Sequence, residues 1–170
     1  MKESTSDAVG LVEVFDKDTG KFLQDFKVEE EKQNNENNPL ADYGISDYSL
    51  KNVSSTKAEG PSNELRSTLY AKLYIYSTGS FRQINEVRDT WWTTSSGGHT
   101  LENTQSGAIS TSGSWPATEV EVDGNATIEV AIDASASASF EAAGFSVGVE
   151  AGGTYYARKD IWHDFRYSVY

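Results

Sequence analysis

A chain of 170 residues with no cysteine fits one domain with a sizeable core, and excludes a disulfide framework, a thiolate zinc site and a cysteine nucleophile. Its 26 acidic residues outnumber 14 basic ones, for a formal net charge of −12, which repels a phosphate backbone and excludes nucleic acid as a partner. No apolar run approaches the ~20 residues of a membrane-spanning helix.

Residues 1–9 read as a disordered tail, and 10–170 as a single all-β domain. Met1 to Asp7 carries no apolar h-region, so a signal peptide is not part of this chain. The Ser/Thr/Asn-rich, strand-rich composition nevertheless suggests a secreted or surface location. Within 10–28, Leu11–Phe15 and Lys21–Val28 flank Asp16-Lys-Asp-Thr-Gly20, a hairpin signal. Asp16 and Asp18 resemble the opening of a calcium loop. Gly20 stands where the third oxygen ligand belongs, and the turn explains both acids, so no metal is assigned. Residues 29–42 form an acidic, Asn-rich linker, and 43–170 the main sheet.

In that main sheet Tyr43–Val53 is a weak strand and Ser54–Asn63 a loop. Glu64–Tyr76 alternates cleanly: Leu65, Leu69, Ala71, Leu73 and Ile75 on one face, Arg66, Thr68, Tyr70, Lys72, Tyr74 and Tyr76 on the other. Phe81–Thr94 alternates poorly, which predicts a bulge. Ser95–Pro116 suits loops or short edge strands, and Asp123-Gly124 between apolar-polar runs predicts a hairpin turn. From Asn125 to Arg158 the period of two is sustained. Ile132, Ala134, Ala136, Ala138 and Phe140 share a face in the first arm, and Phe145, Val147, Val149 and Ala151 in the second, which predicts a long central hairpin. Lys159–Tyr170 alternates again. The expected fold is an antiparallel β-sandwich or an elongated twisted sheet.

No motif names a reaction. The near-neutral acid/bases are His99, expected in a mobile loop, and His163, expected as a packed strand residue. No catalytic residue, cofactor or metal is assigned, and no enzymatic activity is expected. Tyr70, Tyr74, Tyr76 and Trp92 form a candidate aromatic face suited to stacking on sugar rings or settling at a membrane surface. The arms Ile132–Phe140 and Phe145–Gly153 reach the ~9–11 residues of a bilayer-crossing strand, with Ser, Gly and Glu on the polar side. Such a Ser-rich amphipathic hairpin resembles the insertion segments of aerolysin-like β-pore-forming toxins. Against insertion stands its mostly Ala face, which gains little on leaving water. The leading expectation is a secreted or surface protein with a binding or structural role. Its alternative is a pore-forming protein, oligomeric only in that case; carbohydrate and membrane surface are the candidate partners.

Overall fold

The computed structural model describes residues 8–31 and 47–170, with side chains from Gly10 onward. Strands β1 (Ala8–Phe15), β2 (Phe22–Glu31), β3 (Tyr48–Glu59), β4 (Leu65–Thr78) and β5 (Phe81–Ser96) follow one another across a five-stranded antiparallel meander. The four strands β6 (Thr100–Ser110), β7 (Glu119–Ile132), β8 (Ser146–Val149) and β9 (Tyr155–Ser168) make a second sheet in the order β6-β7-β9-β8. The fold is all-β, with two antiparallel sheets.

The alternation read in β4 and β9 is what joins the sheets. Leu69, Ala71, Leu73 and Ile75 from β4 meet Val120 and Val122 from β7 and Phe165 from β9 in one buried cluster. A second cluster, nearer the start of β4, gathers Leu65, Ala126, Ile128, Val130, Ala157 and Ile161 with Phe140 and Phe145. Trp92 packs against both. The poor alternation of β5 has the expected cause. Its pairing with β4 skips one residue at each of Ser95, Arg88 and Asn85, so three bulges reset which face its side chains take.

Several expectations are corrected. Ser54–Asn63 is not a loop, because β3 continues to Glu59 with Ser54, Ser55 and Thr56 buried. Two of these hydroxyls are satisfied inside: Thr56 shares a 2.9 Å hydrogen bond with Thr68, and Ser55 donates to the Asp25 carbonyl. Asp123-Gly124 is not a turn either; β7 runs straight through it. Gly124 is there because a Cβ would lie 2.7 Å from both the Gln105 carbonyl oxygen and the Trp92 Nε1. Finally, the long central hairpin of Asn125–Arg158 does not form. After Ile132 the chain leaves the sheet, makes a 3-10 turn (Ala134–Ala136) and a short helix α1 (Ser137–Ala142), and returns through β8.

The disordered tail lies outside the described residues apart from Ala8 and Val9, whose backbone belongs to β1, and so does residues 32–42 of the linker; β2 extends through Glu29, Glu30 and Glu31. The last strand begins earlier than the pattern suggested, at Tyr155 rather than Lys159.

Candidate functional site

The segment 133–154 leaves β7 and comes back to β9, although these strands are directly paired up to Ile132 opposite Tyr155. Both strands therefore stop pairing at the same rung, and everything between is an excursion from one ladder. Its first half is helical because Ala is the best helix former and a poor strand former. Ala136, Phe140 and Ala143, at helical spacing, turn towards the second core cluster. The helix ends in a Schellman motif: Phe145 N–H donates to the Phe140 carbonyl, Gly144 N–H to the Glu141 carbonyl, and Gly144 takes φ +84°. The Phe140 and Phe145 rings meet edge to face at 5.2 Å.

At its beginning the same helix is weakly supported. Neither Asp133 nor Ala136 makes a side-chain cap, and no acidic residue sits in the first turn. The Ser137 hydroxyl is buried with no hydrogen-bond partner among the described residues. A helix this short has little stability of its own. An open cleft of about 470 Å³, lined by Leu65, Gly97, Val130, Ile132, Ala136 and Phe140 among others, runs beneath it. What holds the segment is docking: the two phenylalanines, the four-residue pairing of β8 with β9, and charged contacts from Arg158 and Lys159. Arg158 reaches Glu150 at 2.8 Å and also pairs with Glu129, and both carboxylates raise its already high pKa. Lys159 donates to the Ala143 carbonyl at 3.1 Å and to Glu59, on β3 of the other sheet, at 2.6 Å.

Of the membrane-hairpin residues named from sequence, Ile132 ends β7, Ala134, Ala136, Ala138 and Phe140 are in the 3-10 turn and helix, and Val147 and Val149 are in β8. Phe145 precedes β8 and Ala151 follows it in a turn.

The candidate aromatic face is divided. Tyr70, Tyr74 and Tyr76 do share the outer side of β4, where Tyr70 stacks on Trp91 at 5.0 Å and Tyr74 on Tyr48 at 5.0 Å. Trp92 belongs to the opposite side: it lies between the sheets and donates Nε1–H to the Gln105 carbonyl at 3.0 Å. Trp92 pairs with Leu69 and Trp91 with Tyr70, so Trp91 takes the outer place; the two bulges between Ile84 and Trp92 cancel and leave Trp92 in phase with inward Ile84. Ring faces on this side are largely used up, since Arg88 covers Tyr74 opposite Tyr48. Tyr48 and Phe81 keep the most exposure, 40% and 47%, at the far end of β4 from the excursion.

His99 is not in a mobile loop; it is buried, with Nε2 2.9 Å from the Ser67 hydroxyl, and burial lowers its pKa. His163 is packed between the sheets beside Trp92 and Phe165. Burial, then Lys57, pushes its pKa down to about 4. Asp16 spends its carboxylate on its own turn, accepting from the backbone of Asp18 and Thr19 and from the Thr19 hydroxyl. Sequence reasoning missed Lys159 and Glu59. Their signal was a lysine in phase with Ile161, His163 and Phe165 on the inward side of β9.

Comparison of the chain with protein-family models, with curated proteins and with solved structures yields no match. Among the described residues no helix is long and apolar enough to cross a membrane.

Proposed function

We propose that the chain is a membrane-active protein whose 133–154 segment converts from its docked form into a β-hairpin continuous with β7 and β9. The observation that carries this reading is the register. Extending the Ile132–Tyr155 pairing without a slip sets Ala134 opposite Gly153, Ala136 opposite Ala151, Ala138 opposite Val149, Phe140 opposite Val147 and Ala142 opposite Phe145. Every one of these pairs is apolar or glycine, and all fall on one face. The other face carries Asp133, Ser135, Ser137, Ser139 and Glu141 against Thr154, Gly152, Glu150, Gly148 and Ser146. Ala143-Gly144 remains as a two-residue loop, and Gly144 already has a left-handed φ. Each added arm is about ten residues long, within the ~9–11 of a bilayer-crossing strand. A slip of one residue in either strand, or one residue more or less between them, would destroy this match.

Undocking exposes Phe140 and Phe145, at ~1.5–3 kcal/mol each, and breaks the short β8 ladder. The extended hairpin regains a longer ladder and places the same apolar side chains against lipid. Its Ala-rich face makes one hairpin a weak insert, and a lone hairpin leaves two open edges that hydrocarbon does not tolerate. Insertion therefore requires several copies closing a barrel.

The test is dye release from liposomes by the variant V149C/Y155C. These positions are opposite each other in the β8–β9 ladder, and the protein has no other cysteine. In the extended hairpin they lie six positions apart along one strand, so the crosslink forbids it. Oxidised protein should be inert and reduced protein should release dye. Equal release in both states, or none from the wild type across lipid compositions and pH, refutes the reading.

A second reading, recognition of carbohydrate by the outer aromatic side of the first sheet, is favoured by the exposed edges of Tyr48 and Phe81 beside Tyr74 and Tyr76. Glycan-array binding that is lost in Tyr74→Ala and Phe81→Ala would support it; a flat array would count against it.

A further inference from the structure

We infer that Lys159 is the residue that keeps the 133–154 segment docked, acting as a latch between its tip and the opposite sheet; this rests on the conversion proposed above. Lys159 occupies an odd place. It lies between Ala157 and Ile161 on the side of β9 that faces the second core cluster, where an apolar residue belongs. Its ammonium is nevertheless well served. It donates to the Ala143 carbonyl at 3.1 Å, pairs with Glu59 at 2.6 Å and sits 5.4 Å from the centre of the Phe145 ring. Gly144 lies beside it: a Cβ added there would come within 3.8 Å of both Lys159 Cε and Nζ.

One side chain thus engages both residues that flank Gly144 at the tip, Ala143 and Phe145. The Glu59 carboxylate that anchors it comes from the other sheet and is only 15% exposed. In the docked form the Ala143 carbonyl and the Glu59 carboxylate both accept from this ammonium, and the Phe145 ring lies beneath it. In the extended hairpin the tip moves to the far end of the new ladder, on the order of 45 Å from Lys159 at ~3.3 Å per residue. Lys159 then loses its cover and regains water. The charge is tolerated in the docked form only through its partners, so removing either partner should loosen the tip selectively. Arg158 lacks this role, since both of its carboxylate partners, Glu129 and Glu150, lie in the second sheet or its β8–β9 turn.

Hydrogen exchange on the full chain reads the latch without any membrane. In Lys159→Met and in Glu59→Gln, amides of residues 139–149 should exchange about tenfold faster, while those of β4 and of β7 before Ile132 keep their protection. The double variant should be no faster than Lys159→Met alone, and Lys159→Arg should stay close to wild type. Where Lys159→Met does not fold, Glu59→Gln supplies the same readout. Unchanged or slower exchange in 139–149, or a uniform rise across β4 and β7, overturns the latch. Faster local exchange with no dye release from wild type or variants leaves the latch standing and removes the membrane reading. Faster exchange with earlier dye release supports both.

Discussion

Gly124→Ala probes the sheet–sheet seam where the Trp92 indole lies against β7. The new methyl would lie 2.7 Å from the Gln105 carbonyl oxygen, 2.7 Å from Trp92 Nε1 and 3.2 Å from Leu69 Cδ1. The first of these is backbone in a paired strand and the second is an indole held in the core, so neither yields easily. Overpacking of this sort costs about 1–3 kcal/mol. Separating the indole from Gln105 adds about 0.5–1.5 kcal/mol. Reduced freedom of the unfolded chain returns about 0.4–1 kcal/mol. A net loss of about 1–3 kcal/mol should appear in urea unfolding followed by tryptophan fluorescence, and as a Tm lower by several degrees. Gly107→Ala is the control: Gly107 sits in β6 opposite Asp123, also without a positive φ, and a Cβ there meets nothing within 4 Å. If Gly124→Ala proves as stable as Gly107→Ala, the seam is not packed as described and the reasoning fails.

His163 should make stability fall in mild acid. Its folded pKa is about 4 against 6.5 for the free side chain, so the unfolded chain takes up the proton first as pH drops. Its contribution is complete above pH 6.5 and disappears between there and about pH 4, amounting to ~3 kcal/mol in all. His163→Gln should flatten that part of the pH–stability curve by one proton, measured by urea unfolding between pH 7.5 and 4.5; an unaltered slope contradicts the assignment. In planar bilayers, channels formed by the extended hairpin should prefer cations, because Asp133, Glu141 and Glu150 all fall on its polar face. Reversal potentials under a salt gradient should shift towards zero in Glu150→Gln, and anion selectivity would contradict the register.

The strands that were legible in advance are those in which a branched or aromatic apolar residue alternates with a polar one, as in β4 and β9. There the period and the residue preferences agree. Ser54-Ser55-Thr56 is illegible as strand because buried hydroxyls there bond to neighbouring strands, Thr56 to Thr68 and Ser55 to the Asp25 carbonyl, so burial leaves no mark on hydropathy. The stretch 134–142 misled for another reason. A dense run of Ala satisfies a period of two and, through Ala136, Phe140 and Ala143, a helical period as well; propensity then favours the helix. Gly124 gave a turn signal because close approach of an indole and bend formation both ask for the residue with no side chain. For the candidate site, the amphipathic faces of the excursion could be read from the chain. Their alignment with the β7–β9 ladder could not, since it depends on which rung those strands stop at. The inward place of Trp92 is set by its pairing with Leu69, which the irregular alternation between Ile84 and Trp92 hides although its two bulges cancel.

The division of the core into two clusters has a mechanical consequence. The cluster around Leu73, Val122 and Phe165 contains nothing from residues 133–154, whereas the other is completed by Phe140 and Phe145. The two ends share strands β4, β7 and β9, and the Trp92 side chain packs against both clusters. Under the proposed conversion, one end of the molecule would change shape while the opposite cluster keeps its form as a fixed mount, with the Trp92 indole packed where the two clusters meet.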